Sequence, residues 1–199
     1  MKRILIAVLS LAITLMILPI QPVLAEENSQ SFYVEEIETR DPYTKKWIIH
    51  DGEVEVELEQ NLLTFEAICD HTVLNYEVEE LAIPNTSPNW STGAYVQYEI
   101  PWKQTAAATA AVIALLLGAS VSEASDIQTA IETGLTGAPS FWATYTQYQS
   151  VESYYSSYYN TYYHKCANYY RSVYKNSVAA SNRKWGPSNG GWFDPIRPY

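Results

Sequence analysis

The chain has 199 residues, a formal charge of −10 and a hydrophobic share of 47%, which is too apolar for a wholly disordered chain. Twelve lysines and arginines against 22 acidic residues disfavour nucleic acid as a partner of the chain as a whole. Two cysteines are too few for a disulfide-rich miniature scaffold or a four-thiolate zinc site.

Met1-Lys2-Arg3 forms a positive n-region, Ile4 to Ile20 is an uncharged apolar run, and Val23-Leu24-Ala25 is a small-residue cleavage site. This predicts a secreted protein, cleaved near Ala25, whose mature chain Glu26 to Tyr199 has 174 residues. Its charge is uneven: 17 acidic and three basic residues give −14 from Glu26 to Glu99, while five acidic and seven basic give +2 from Ile100 onward. Such a split predicts either two units that attract each other or one domain with a solvated acidic face.

The first half reads as β structure. Glu53 to Glu59 alternates strictly, so Val54, Val56 and Leu58 fall on one face and four glutamates on the other. Weaker strand signals at 32–38, 46–49, 62–68, 72–78 and 94–100 complete an acidic antiparallel meander. The glutamate ladder could collect calcium, but it lacks the spacing of a calcium loop and reads first as a solvated strand face. Residues 84–93, rich in proline and small polar groups, read as a linker.

Gln104 to Ser122 then runs 19 residues without a charge. Alanine and leucine favour helix, Thr105 can cap it, and a second helix capped by Ser122 or Ser125 and stopped at Gly134 would make a helical hairpin. Such an apolar run is either a buried core helix or a segment that enters a bilayer, with Ala111, Val112, Ile113, Leu115, Leu116 and Leu117 as the inserting residues.

Eleven of the 17 tyrosines lie between Tyr145 and Tyr174. On a helix over 151–174, one face collects Tyr154, Tyr155, Tyr158, Tyr159, Tyr162, Tyr163, Tyr169, Tyr170 and Tyr174. Strict alternation fails, because adjacent tyrosines put aromatics on both faces of a strand. Two strands divided near Ser156-Ser157 or Cys166-Ala167-Asn168 are the alternative. The fold predicted is thus α+β, an acidic antiparallel meander followed by an Ala-rich helical hairpin and a long Tyr-striped helix. Its regions are signal peptide 1–25, β-rich region 26–83, linker 84–93, hairpin and aromatic helix 94–184, and irregular tail 185–199.

In a secreted chain, Cys69 and Cys166 are candidates for a disulfide, which across so long a loop would contribute roughly 4 to 5 kcal/mol. A metal site with His71 and His164 is the alternative, but residues two apart point about 200° apart on a helix. Two separate thiols remain open. No metal or cofactor is expected, and no nucleophile elbow, phosphate loop, dinucleotide fingerprint or HExxH occurs, so nothing marks an enzyme.

The layout of signal peptide, acidic β region, apolar hairpin at 105–133 and aromatic stretch with Tyr169-Tyr-Arg-Ser-Val-Tyr-Lys-Asn176 resembles the geobacillin-type secreted bacteriocin-like proteins of Gram-positive bacteria. The resemblance implies an antibacterial or envelope-directed role and supplies no catalytic residue. Two functions are therefore expected. One is a membrane-directed protein whose apolar segment inserts while its aromatic, basic part docks on anionic lipid. The other is a non-catalytic cell-envelope module that contacts wall or polysaccharide through its tyrosine face.

Overall fold

The computed structural model describes residues 32–83, 89–134 and 139–196. The predicted signal peptide, 1–25, and the first half of the predicted linker, 84–88, lie outside the described residues.

Five strands follow one another in the first sheet: β1 (Tyr33–Ile37), β2 (Thr44–Asp51), β3 (Val54–Asn61), β4 (Ala67–Cys69) and β5 (Thr72–Val73), all paired antiparallel in chain order. Turn chemistry sets the register. Gly52 takes φ +62° in the two-residue turn between β2 and β3, as the first position of a type II′ turn requires. Asp70 and His71 both take positive φ between β4 and β5, making a type I′ turn without glycine. On β3, Val56 and Leu58 are buried while Glu55 points to solvent. The glutamates meet side chains of neighbouring segments: Lys46 pairs with Glu57, the His50 ring lies 3.6 Å from Glu55, and the His71 ring lies 3.8 Å from Glu57.

The 72–78 signal proves to be two strands, because buried Leu74 marks where the chain crosses to the second sheet. That sheet has the order β10-β9-β8-β7-β6, from β6 (Asn75–Leu81), β7 (Trp90–Pro101), β8 (Ser140–Ser156), β9 (Thr161–Lys175) and β10 (Arg183–Ser188). A short β11 (Trp192–Phe193) extends it beside β9. Trp90 to Gly93, expected as linker, begin β7, and Trp185 and Trp192, expected as irregular tail, sit in strands.

Between the sheets lies α1 (Ala106–Leu117), which touches β2 and β3 on one side and β7, β8 and β9 on the other. A helix apolar all round belongs where nothing wet can reach it. Its alanines keep it slim enough to be a filling. Thr105 accepts from Ala108 N at the start, and Gly118 at φ +64° receives the end of the helix. The last carbonyls are taken by three buried side chains from β3 and β9: Gln60 Nε2 donates to Leu116 O (3.5 Å), Asn168 Nδ2 to Leu117 O (3.1 Å) and Arg171 Nη1 to Gly118 O (2.9 Å). Gln60 also bridges the phenols of Tyr98 and Tyr145, and burial pushes Tyr98 up to about 12.

A second helix, α2 (Val121–Gly134), starts from a capping box formed by Ser120 and Glu123, not from Ser122 or Ser125. Ala124, Ile127 and Ile131 face the core at helical spacing. Glu123 also receives Arg171 and Ser188, which ties α2 to β9 and β10.

Three expectations are corrected. The protein is mostly β, two antiparallel sheets with two short helices, and not a helical hairpin followed by a long helix. The Tyr-striped segment is β8 and β9, joined at Ser157 to Asn160 with Asn160 at φ +52°. Its physical logic is a mirror: Tyr154 pairs with Tyr163 and Tyr155 with Tyr162 across the strands, so both faces of this two-stranded arm carry aromatics. Finally, Cys69 and Cys166 are free and buried, each packed from its own sheet, so no disulfide joins the halves.

Candidate functional site

Paired residues on adjacent strands share a face. The inward face of the second sheet is thereby defined by Val96 with Tyr145, Tyr98 with Ala143 and Val173, and Ile100 with Phe141, all buried in the core. Its outward face follows from the alternate rows: Tyr95, Thr146 and Tyr169; Gly93, Tyr148 and Ala167; Glu99, Trp142 and Tyr174. Aromatic rings crowd this face, and they pack chiefly on one another.

Trp90 stacks on Tyr148 with centroids 3.9 Å apart and planes 16° from parallel. Tyr169 stands edge-on to both at 5.7 Å. Gly93 makes the stack fit, because a Cβ there would come within 3.1 Å of the Tyr148 ring. Next to this cluster, β9 bulges: Tyr170 takes φ +55°, unusual for a bulky residue, and its ring stands 56% exposed beside Tyr169.

Further along, β8 carries a wider bulge between Gln149 and Ser153. His164 holds it shut. Its Nδ1 lies 2.8 Å from Ser150 O and 3.1 Å from Glu152 O, so that nitrogen must carry the proton. The bulge leaves a groove of about 410 Å³ lined by Asn89, Ser150, Val151, Glu152, Tyr154, Lys165 and Trp192. Lys165 Nζ lies 4.8 Å over the Tyr154 ring, Tyr154 OH donates to Glu152 at 3.1 Å, and the Trp192 ring is 40% exposed. A stack of rings thus continues into a notch with amide, hydroxyl, ammonium and carboxylate groups. Such a surface can hold a ring with an apolar face and a polar rim. A wider groove of about 670 Å³ is lined by Leu63, Thr64 and Phe65 together with residues of β6, β7 and β8, and it offers aliphatic, hydroxyl, amide and carboxylate groups with Phe65 as its aromatic ring.

Of the tyrosines predicted to share one face, Tyr154, Tyr163, Tyr169 and Tyr174 lie on the outward rows. Tyr155 and Tyr162 lie on the arm's other side, Tyr158 and Tyr159 in its loop, and Tyr170 in the bulge. Sequence reasoning missed Trp90, Tyr95, Trp142, Tyr148 and Trp192. A signal was present at 141–148, where Phe141, Ala143 and Tyr145 alternate with Trp142, Thr144 and Thr146.

The residues proposed for membrane insertion are elsewhere. Ala111, Val112, Ile113, Leu116 and Leu117 are buried in the core and Leu115 is half-buried. The helix that carries them has 12 residues, and no described helix is long and apolar enough to cross a membrane. The cysteines are equally withdrawn: burial pushes the Cys69 thiol up against the pull of Lys103, and the Cys166 thiol up to about 12. Neither offers a thiolate at neutral pH.

Comparison with protein-family models, with curated proteins and with solved structures finds no match for this chain.

Proposed function

We propose that the protein is an exported, non-catalytic binding module that holds a polysaccharide of the cell envelope on the outward aromatic face of its second sheet. The observation that carries this reading is the continuous run from the Trp90, Tyr148 and Tyr169 cluster into the groove of Tyr154, Lys165, Glu152 and Trp192. The rings of this run are half-buried against one another, with Trp192 40% exposed, and their free edges form an apolar strip with a polar rim of the kind that interaction sites present. The π face of a tyrosine or tryptophan is electron-rich and attracts the C–H face of a pyranose, while the polar rim takes its hydroxyls. Insertion of α1 does not enter this reading, because withdrawing it would forfeit about 1.5 to 3 kcal/mol for each large apolar side chain it buries.

The test is co-sedimentation of the purified protein with insoluble cell-wall polysaccharide, compared with lipid vesicles. Retention by the wall and not by vesicles is expected, with a loss of roughly tenfold or more in Trp90→Ala and Tyr154→Ala, as for aromatic anchors at other interfaces. No retention, or retention unchanged in both variants, would overturn the reading.

A further inference from the structure

The inter-sheet space is not filled to its end. Beyond the C-terminus of α1, a cleft of about 470 Å³ opens between the first sheet and the strand β11. Trp47 and Leu62 form one wall, Leu115 and Leu116 the helical end, and Trp192 and Phe193 the far side. Cavities of this size, mostly apolar with a few fixed polar groups, are the usual form of small-ligand sites.

The polar group that matters is Gln60. Its side chain is 1% exposed and forms part of the cleft wall. Its Nε2 is committed to Tyr98, Tyr145 and Leu116 O, which fixes the plane of the amide. Among the described residues no donor reaches its Oε1. An amide oxygen that no protein donor reaches and that is not sealed from the cleft accepts from water or from a ligand that enters it. The charged groups of the wall are already matched. Lys45 pairs with Glu36 at 3.4 Å, and Asp194 accepts from Tyr163 at 2.9 Å with Lys165 at 3.9 Å.

We propose that this cleft binds a small neutral amphiphile, an aliphatic alcohol or primary amide, with its O–H or N–H on Gln60 Oε1 and its chain along Trp47, Leu115 and Phe193. The apolar walls select the chain, the lone acceptor selects a donor end, and the paired charges select against an ionised head. This site shares only Trp192 with the outward groove; Gln60, Trp47, Leu115 and Phe193 belong to the cleft alone, so either reading can fail without the other.

Trp47 and Trp192 report on the cleft, so binding is read from tryptophan fluorescence and from the thermal midpoint of the purified protein. The probes are 1-decanol, its methyl ether and decanoate, each below its aggregation concentration. A saturable emission change and a raised midpoint are expected with the alcohol, about tenfold weaker binding with the ether, which lacks the donor, and none with decanoate. Ala119→Trp, which fills the half-exposed mouth of the cleft, should abolish the alcohol effect, and Gln60→Met should make alcohol and ether equal. Should Gln60→Met fail to fold, the comparison of alcohol with ether in the unaltered protein carries the same question. No saturable response to the alcohol, equal affinity for alcohol and ether, or full binding by a folded Ala119→Trp would each overturn the proposal. Wall retention measured on the same Ala119→Trp sample separates this outcome from failure of the polysaccharide reading.

Discussion

The central helix α1 and the aromatic arm of β8 and β9 are the two most distinctive stretches of the chain, and each composition admits both a buried and an outward role. Of the two readings of the uncharged, alanine-rich run, core helix or bilayer segment, the structure takes the first: it is the filling between two sheets, buried along almost its whole length. The tyrosine run looks like a face packed against a core, yet its rings reach 50 to 69% exposure at Tyr155, Tyr158 and Tyr162. What separates them is the polar end of the side chain. Alanine and leucine have nothing to satisfy and can be enclosed from every side. Tyrosine can cover its strand with its ring while its hydroxyl stays at the surface, as Tyr158 does on Glu38 and Tyr155 on Asn160.

The sharpest test of this contrast is Leu117→Ala. Leu117 is fully buried at the end of α1, and its truncation should cost about 3 kcal/mol by lost burial and cavity, read as a lowered urea midpoint with an unchanged m-value. A cost below roughly 1 kcal/mol would mean that α1 is not the filling of the sandwich. Comparable in size is the loss of Glu123, which leaves the nearly buried Arg171 without its carboxylate. Glu123→Ala should cost on the order of 3 kcal/mol at neutral pH.

The same pair gives a pH dependence. Burial works against the Glu123 carboxylate, but hydrogen bonds from Ser120 and Ser188 and the Arg171 charge outweigh it, and the group titrates below the ordinary glutamate range. A depressed folded value means stability that is fully present above the unfolded pKa, about 4.3, and lost as the pH falls through the folded one. Urea unfolding from pH 7 to pH 3 should therefore show a steeper acid loss for the unaltered protein than for Glu123→Gln. Equal slopes would remove the Arg171 link from the account. Thiol labelling gives a further check: Cys69 and Cys166 should both resist a disulfide reagent in the native protein and both react in urea without reductant.

Much of the first sheet can be read directly from the chain, and so can α1. The alternation at Val54, Val56 and Leu58 admits only a half-buried strand, and an Ala-Leu run with a threonine cap and Gly118 beyond it admits only a helix. The arm is different, because adjacent tyrosines satisfy a helical stripe as well as a ribbon with two aromatic faces. Its mirror spacing about residues 157–160, with Asn160 in the left-handed turn position, favours the ribbon. Local periodicity does not see that symmetry. The outward face was harder still, since Trp90, Tyr148 and Tyr169 meet only through strand register. The disulfide failed for a related reason: compartment and cysteine count say nothing of which strand each thiol packs under.

The smallest effect is the most direct test of the arm. Tyr155 and Tyr162 face each other across the strands with centroids 5.2 Å apart, and both rings are at least half exposed. A pair of this kind contributes about 0.2 to 1 kcal/mol relative to alanine. Tyr155→Ala and Tyr162→Ala should each lower stability by less than about 1 kcal/mol, and a double-mutant cycle should return a coupling of a few tenths. If either substitution instead cost more than about 2 kcal/mol, the arm would be held as tightly as α1. Its rings would then be part of the packing and not free surface, and the contrast between the two regions would collapse. A small cost with intact wall binding would confine the contact surface to the outward rows of Tyr148, Tyr154 and Tyr169 and leave the arm's other side to solvent.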